Sequence, residues 1–134
     1  MAALTKDRNT KRRDGKQFSD PVAANTRIFA GAMVGLNAAG YAGPAGIAFP
    51  KVRGVAQEAV DNSTGAAGAV TVDLLRGCFC FANSAGADQL TRADIYEFAY
   101  IADDQTLAKT DGGVSRPMAG VVDVDADGVW LYFY

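Results

Sequence analysis

The stretch AGVVDVDADGVWLYFY, residues 119–134, decides the fold. Asp123, Asp125 and Asp127 alternate with small residues and lead to Gly128, which is how a calcium loop of the EF-hand type begins. Such a loop needs a bidentate carboxylate about twelve positions in, between two helices. Counted from Asp123, that position is Tyr134, and both flanks, AGVV and VWLYF, are β-type runs. An Asp-Gly pair between two such runs predicts a hairpin, because glycine accepts the positive φ of a tight turn. The hairpin joins Ala119–Val124 to Val129–Phe133. Weak cation binding by the clustered carboxylates is the alternative reading.

The same grammar recurs upstream. Arg27–Leu36 reads as a strand or strand pair, Asn37–Gly40 as a turn, and Tyr41–Phe49 as a return broken by glycine and proline. Val52–Val60 is a strand closed by the turn-rich DNSTGAAG at 61–68. Ala69–Phe81 is β-branched and aromatic with a bend at Gly77. Leu90–Asp94 suggests one helical turn, and Phe98–Ile101 with Thr106–Lys109 a hairpin across Asp103-Asp104. Short strands with turn signals at this density predict an all-β fold, a small sandwich or barrel of short antiparallel strands. At 134 residues the chain fits one domain, with a thin core given its abundance of Ala and Gly.

Residues 1–26 differ in kind. They show neither a helical nor a strand period and are broken by Gly15 and Pro21, which predicts an extended basic arm at 1–26 before a compact β-domain at 27–134. Net charge is −2, unevenly spread. Residues 1–27 hold seven Lys/Arg against three Asp, whereas the remaining residues hold six Lys/Arg against twelve acidic residues. A basic arm on an acidic body is a partner signal. The arm's partner is an acidic protein surface or nucleic acid, or the arm is a solvated tail. The protein surface is preferred, because the acidic body repels a duplex and Phe18 is the arm's only aromatic residue.

Catalytic chemistry finds little support. The chain has no histidine, which removes the commonest general base and half of a zinc site for the pair Cys78 and Cys80. In a strand those cysteines share one face and Phe79 and Phe81 the other, so CFCF reads as core. Nothing in the spacing of Glu58, Glu97, Asp103 and Asp104 selects a pair of glycosidase carboxylates. The sequon Asn62-Ser63-Thr64 reads as loop chemistry. No enzyme activity, metal or cofactor is expected. No apolar core follows the N-terminal charges and no apolar run spans a bilayer, so neither secretion nor membrane association is expected.

From about Arg27 onward the chain resembles the small capsid cement, or decoration, proteins of tailed double-stranded-DNA bacteriophages. The resemblance lies in ordered segments: IFAGAMVGLNAAGYAGPA, RGVAQEAVDNSTGAAG, VTVDLLRGCFCFAN, LTRADIYEFAYIADDQTLAKT and AGVVDVDADGVWLYF. A departure is Tyr96-Glu97, where the family pattern has a small residue such as glycine. The resemblance implies a structural protein, made in the host cytoplasm, that binds the major capsid protein on the exterior of the virion near three-fold positions, commonly as a homo-trimer. It would stabilise the head against internal DNA pressure, with no direct nucleic-acid contact. On this reading Lys6, Arg8, Lys11, Arg12, Arg13 and Lys16 meet acidic capsid surface, and Phe18 and Val22 serve as apolar anchors. The alternative is a small tail or baseplate β-module that binds glycan or protein, using Trp130, Tyr132 and Tyr134, which alternate on one strand face.

Overall fold

A computed structural model describes residues 2–133. The chain is all-β, with 42% of residues in strands and two single 3-10 turns, Gly86–Asp88 and Arg92–Asp94. The strands are β1 (Gln17–Pro21), β2 (Thr26–Ile28), β3 (Met33–Leu36), β4 (Ala42–Pro44), β5 (Lys51–Ala56) and β6 (Val60–Asn62). They continue with β7 (Thr71–Leu75), β8 (Cys78–Asn83), β9 (Phe98–Ile101), β10 (Thr106–Ala108), β11 (Met118–Asp125) and β12 (Gly128–Tyr132). No helix among the described residues is long and apolar enough to cross a membrane.

The first half forms a five-stranded sheet in the order β1-β7-β5-β3-β4, with β2 and β6 as a separate ribbon. Beyond β1 the chain crosses to the far edge, where Val22 bridges Ala42 and the Ala23 N–H donates to the Ala42 carbonyl at 2.9 Å. That contact curls the sheet around a core of Val22, Ile28, Val34, Ala42, Ala56, Val72 and Leu74. The second half closes fully as a barrel, β10-β8-β12-β11-β9. Closure leaves no exposed sheet edge, the usual liability of short β-strands. It depends on a parallel pairing of β10 with β8, through Thr106↔Ala82 and Leu107↔Asn83.

The barrel core contains Phe81, Ile101, Leu107, Val121, Val129, Leu131 and Phe133. Fully burying such side chains contributes about 1.5–3 kcal/mol each. Met33 and Val55 of the first sheet join this core, and the Met33 N–H donates to the Asp104 carbonyl at 2.8 Å. The two halves therefore share apolar packing and hydrogen bonding.

The last hairpin forms as its sequence predicts. Asp125 pairs with Gly128 across the turn, where Gly128 has φ +140° and a Cβ would run into the Phe81 carbonyl oxygen. A bulge at Val122 puts Asp123 opposite Trp130. The hairpin of β9 and β10 also forms across residues 103–104, as does the turn at Arg92–Asp94. In that turn the Asp94 carboxylate accepts the Thr91 N–H at 2.8 Å, closing the helical start.

One boundary moves. The segment without regular structure ends at Lys16, because Gln17–Pro21 is a strand paired along its whole length with β7, and Thr26 already belongs to β2. The sequence hides β1 because its inward positions are Phe18 and Asp20, and a carboxylate facing a core breaks the apolar alternation. Arg53, 33 residues away from Asp20, makes the position viable.

Candidate interaction surfaces

The arm comes first, since six of the eight predicted site residues lie on it as cations. Lys6, Arg8, Lys11, Arg12, Arg13 and Lys16 are all exposed, and none of them forms an ion pair among the described residues. Against them residues 2–16 hold only Asp7 and Asp14, a net +4. Fully extended, these fifteen residues span about 50 Å at ~3.3–3.6 Å per residue. The arm can therefore touch a partner surface far beyond the footprint of the body.

Its root is rigid. The β-bulge that opposes Val34 and Gly35 to Gly54 and Val52 leaves Arg53 unpaired in the ladder and turns its side chain toward β1. The guanidinium donates from Nε to Asp20 Oδ2 at 2.7 Å and from Nη2 to Asp20 Oδ1 at 3.1 Å, a two-point fork. It also lies 3.7 Å from the Phe18 ring centroid, and Arg13 lies 5.3 Å from the same centroid. The Arg53 side chain is 26% exposed and that of Asp20 11%. This partial desolvation strengthens both the fork and the cation–π contact.

The two predicted apolar anchors are therefore not available as the sequence suggests. Val22 is wholly buried in the core of the chain itself, and its carbonyl accepts the Gly68 N–H at 2.8 Å. It cannot anchor the arm to a partner. Phe18 is half-buried and carries Arg53 on its ring, so it holds the arm to its own body.

A second surface was only partly legible. Register places Phe98, Gly120, Tyr132 and Cys78 in one row across β9, β11, β12 and β8. Directly opposed residues project to the same side, and the alternate positions Ala99, Val121 and Leu131 are buried, so this row faces outward. Phe98 is 58% exposed, Tyr132 44%, and Met118, paired with Tyr100 beside the row, 54%. The next row toward the turn holds Asp123, Trp130 and Cys80.

The cysteines thus face out and not into the core as the CFCF pattern suggests. Cys78 is exposed and Cys80 half-buried, while Phe81 fills the barrel and packs edge-on against Phe133 at 6.1 Å. With both faces of CFCF apolar, alternation cannot tell inside from outside, and the bulkier phenyl rings take the interior. Partial burial, reinforced by Asp123, pushes the Cys78 thiol up; burial followed by Asp125 and Asp127 does the same at Cys80. Both are held as thiols rather than reactive thiolates.

The turn aspartates are engaged locally. Asp125 Oδ1 accepts the Asp127 N–H at 2.9 Å, and its Oδ2 accepts the Trp130 indole N–H at 3.1 Å. Arg92 reaches Asp123 at 3.4 Å. Among the described residues no group of three or more His, Cys, Asp or Glu is placed to hold a metal ion. Glu58, Glu97, Asp103 and Asp104 are spread over three loops and gather into no site. Burial, then repulsion from Asp103, pushes the Asp104 carboxyl up.

Asn62 of the sequon is buried. Its amide donates to the carbonyls of Ala23 and Ala66, each at 2.9 Å, and more weakly to Val22 at 3.4 Å, tying the chain after β1 to the 61–68 loop. Comparison with protein-family models, with curated proteins and with solved structures yields no significant match.

Proposed function

We propose that this chain is a structural cement protein of a tailed-phage capsid, fixed to the outside of the assembled head by its basic arm. The observation that supports it most is the arm itself: six exposed cations that form no ion pair among the described residues, on a segment able to reach about 50 Å when fully extended, joined to the body by the Arg53–Asp20–Phe18 clamp. A rigid root turns a flexible charged tail into a strap, because tension on the arm is passed to the β-body and not lost in fraying.

The mechanism is linkage. A protein that binds the closed shell and not its dispersed subunits stabilises the shell by mass action. As a trimer near three-fold positions, its individually weak arms act at high effective concentration on the major capsid protein. Salt-sensitive, protein-directed binding follows from the charge of the arm, since exposed cations are screened over about 10 Å at ~0.1 M salt. The rival reading, a tail or baseplate module that binds glycan, draws on the outward Tyr132. It is weaker because the indole N–H of Trp130 is already engaged by Asp125.

The test is binding to mature, DNA-emptied heads by the full chain and by a variant with Lys6, Arg8, Lys11, Arg12 and Arg13 changed to Gln. Saturable binding that drops sharply in the variant supports the strap. Equal binding moves the contact to the β-body, and no binding by either refutes the cement function. Substitution is preferable to truncation at Thr26, which would delete β1.

A further inference from the structure

The outward cysteines play no part in the function proposed above. Cys78 and Cys80 are alternate residues of β8, opposite Tyr132 and Trp130 of β12, so both sulfurs leave the same side of the barrel wall. Cys78 is exposed and Cys80 half-buried. The Cys80 sulfur lies beside Gly128, 3.2 Å from where a Cβ would stand, so the glycine of the turn leaves room at that sulfur.

Two positions apart on a strand, the cysteine Cα atoms are separated by about 6.8 Å at ~3.4 Å per residue. That is the outer limit of the range of about 4.4–6.8 Å usual for a disulfide. A bridging metal relaxes the limit. With metal–thiolate bonds of about 2.3 Å, the sulfurs of a linear unit stand about 4.6 Å apart, against about 2.05 Å in a disulfide. Rotation of each cysteine about χ1 brings the sulfurs to that spacing without moving the strand. The number of donors then selects the metal. Structural zinc takes four ligands, and among the described residues no third His, Cys, Asp or Glu joins the pair. Two thiolates suit a soft monovalent ion, and copper(I) is the biological one.

We propose that Cys78 and Cys80 form a two-coordinate site for copper(I) on the outer face of the barrel. Binding breaks two S–H bonds and makes two Cu–S bonds; two protons pass to solvent and copper stays in the +1 state. Partial burial, and after it the carboxylates of Asp123, Asp125 and Asp127, hold both sulfurs protonated in the free chain. The same negative field concentrates cations at this face. With no histidine and only these two cysteines in the sequence, one ion per chain is expected.

The site stands independently of the capsid function, and anaerobic titration of the reduced full chain with the copper(I)–bicinchoninate complex tests it. The wild type should withdraw one equivalent of copper. Emission from Trp130, the single tryptophan and the residue opposite Cys80, should change in step. Native mass spectrometry should show one chain carrying one copper with two protons lost. Cys78→Ser and Cys80→Ser should each weaken binding at least tenfold, and circular dichroism confirms that both fold. Met118→Leu, which removes an exposed thioether, should leave binding unchanged. Failure of the reduced wild type to withdraw copper overturns the proposal, as does either serine variant binding as tightly as the wild type. Copper that links two chains, or that binds with the loss of a single proton, also overturns it.

Discussion

Removing either partner of the Arg53–Asp20 fork should loosen the root of the arm and destabilise the whole first sheet. Breaking a fully buried ion pair from one side costs about 3–5 kcal/mol, because the remaining charge is left in low dielectric. Here Arg53 retains 26% of its side-chain exposure and Asp20 11%, so water relieves part of that cost. The expected loss is about 2–3 kcal/mol for Asp20→Ala. Arg53→Met should cost a similar amount, since it also removes the cation from the Phe18 ring while keeping some apolar packing. The double variant leaves no unpaired charge, so its loss should fall short of the sum by about 1–2 kcal/mol. Arg53→Lys should recover less than half, because an ammonium can neither fork to both carboxylate oxygens nor stack flat on a ring. Urea unfolding of the four variants completes the cycle, and amide exchange across 17–21 reports whether the damage begins at β1. Single variants within ~0.5 kcal/mol of wild type, or strict additivity, would refute the clamp.

Asn62→Ala removes the side-chain donor to the buried Ala23 carbonyl, while the exposed Ala66 keeps the Ala69 N–H, and should cost about 1–3 kcal/mol, read from the urea midpoint. Tyr96 sits at φ +68° with its side chain exposed, so Tyr96→Gly should stabilise by about 0.5–1 kcal/mol despite the flexibility of glycine; a lower urea midpoint would contradict this. The hydroxyl of Thr110, donating to Asp88 at 2.5 Å, chiefly holds the Asp88 carboxyl below the usual range. Its contribution is therefore present above the ordinary carboxylate pKa and lost as pH falls through the lower folded value, and amide exchange near Thr110 should rise over that window. Asp104 has the opposite sign: its folded pKa is raised, so ionisation opposes folding as pH climbs past the ordinary value. Asp104→Asn should raise the thermal midpoint at neutral pH and change it little in acid.

Phe49 shows how far local reading reaches. The return Tyr41–Phe49 is recognisable from its glycines and proline, yet nothing near it says why Gly43 must be glycine. In the fold the Phe49 ring lies against Gly43, where a Cβ would collide with it. Tyr96 is the converse case. Its bulky side chain gives no hint that its backbone adopts the left-handed conformation that glycine favours.

The arm and body charges, the all-β class, the β9–β10 and β11–β12 hairpins and the Arg92–Asp94 turn were determined by the sequence alone. Each of these depends on residues a few positions apart: strand alternation, Asp-Gly turn chemistry, or plain charge counting. Tertiary structure decided the rest because the relevant partners are distant in the chain. Strand β1 exists because Arg53 arrives from another strand to meet Asp20, and Val22 is buried because the chain crosses to Ala42. The barrel closes through a parallel contact between β8 and β10 that no turn signal announces. The cysteines of CFCF face outward because the larger Phe81 fills the barrel, a choice that depends on the volume to be filled and not on the pattern of the strand.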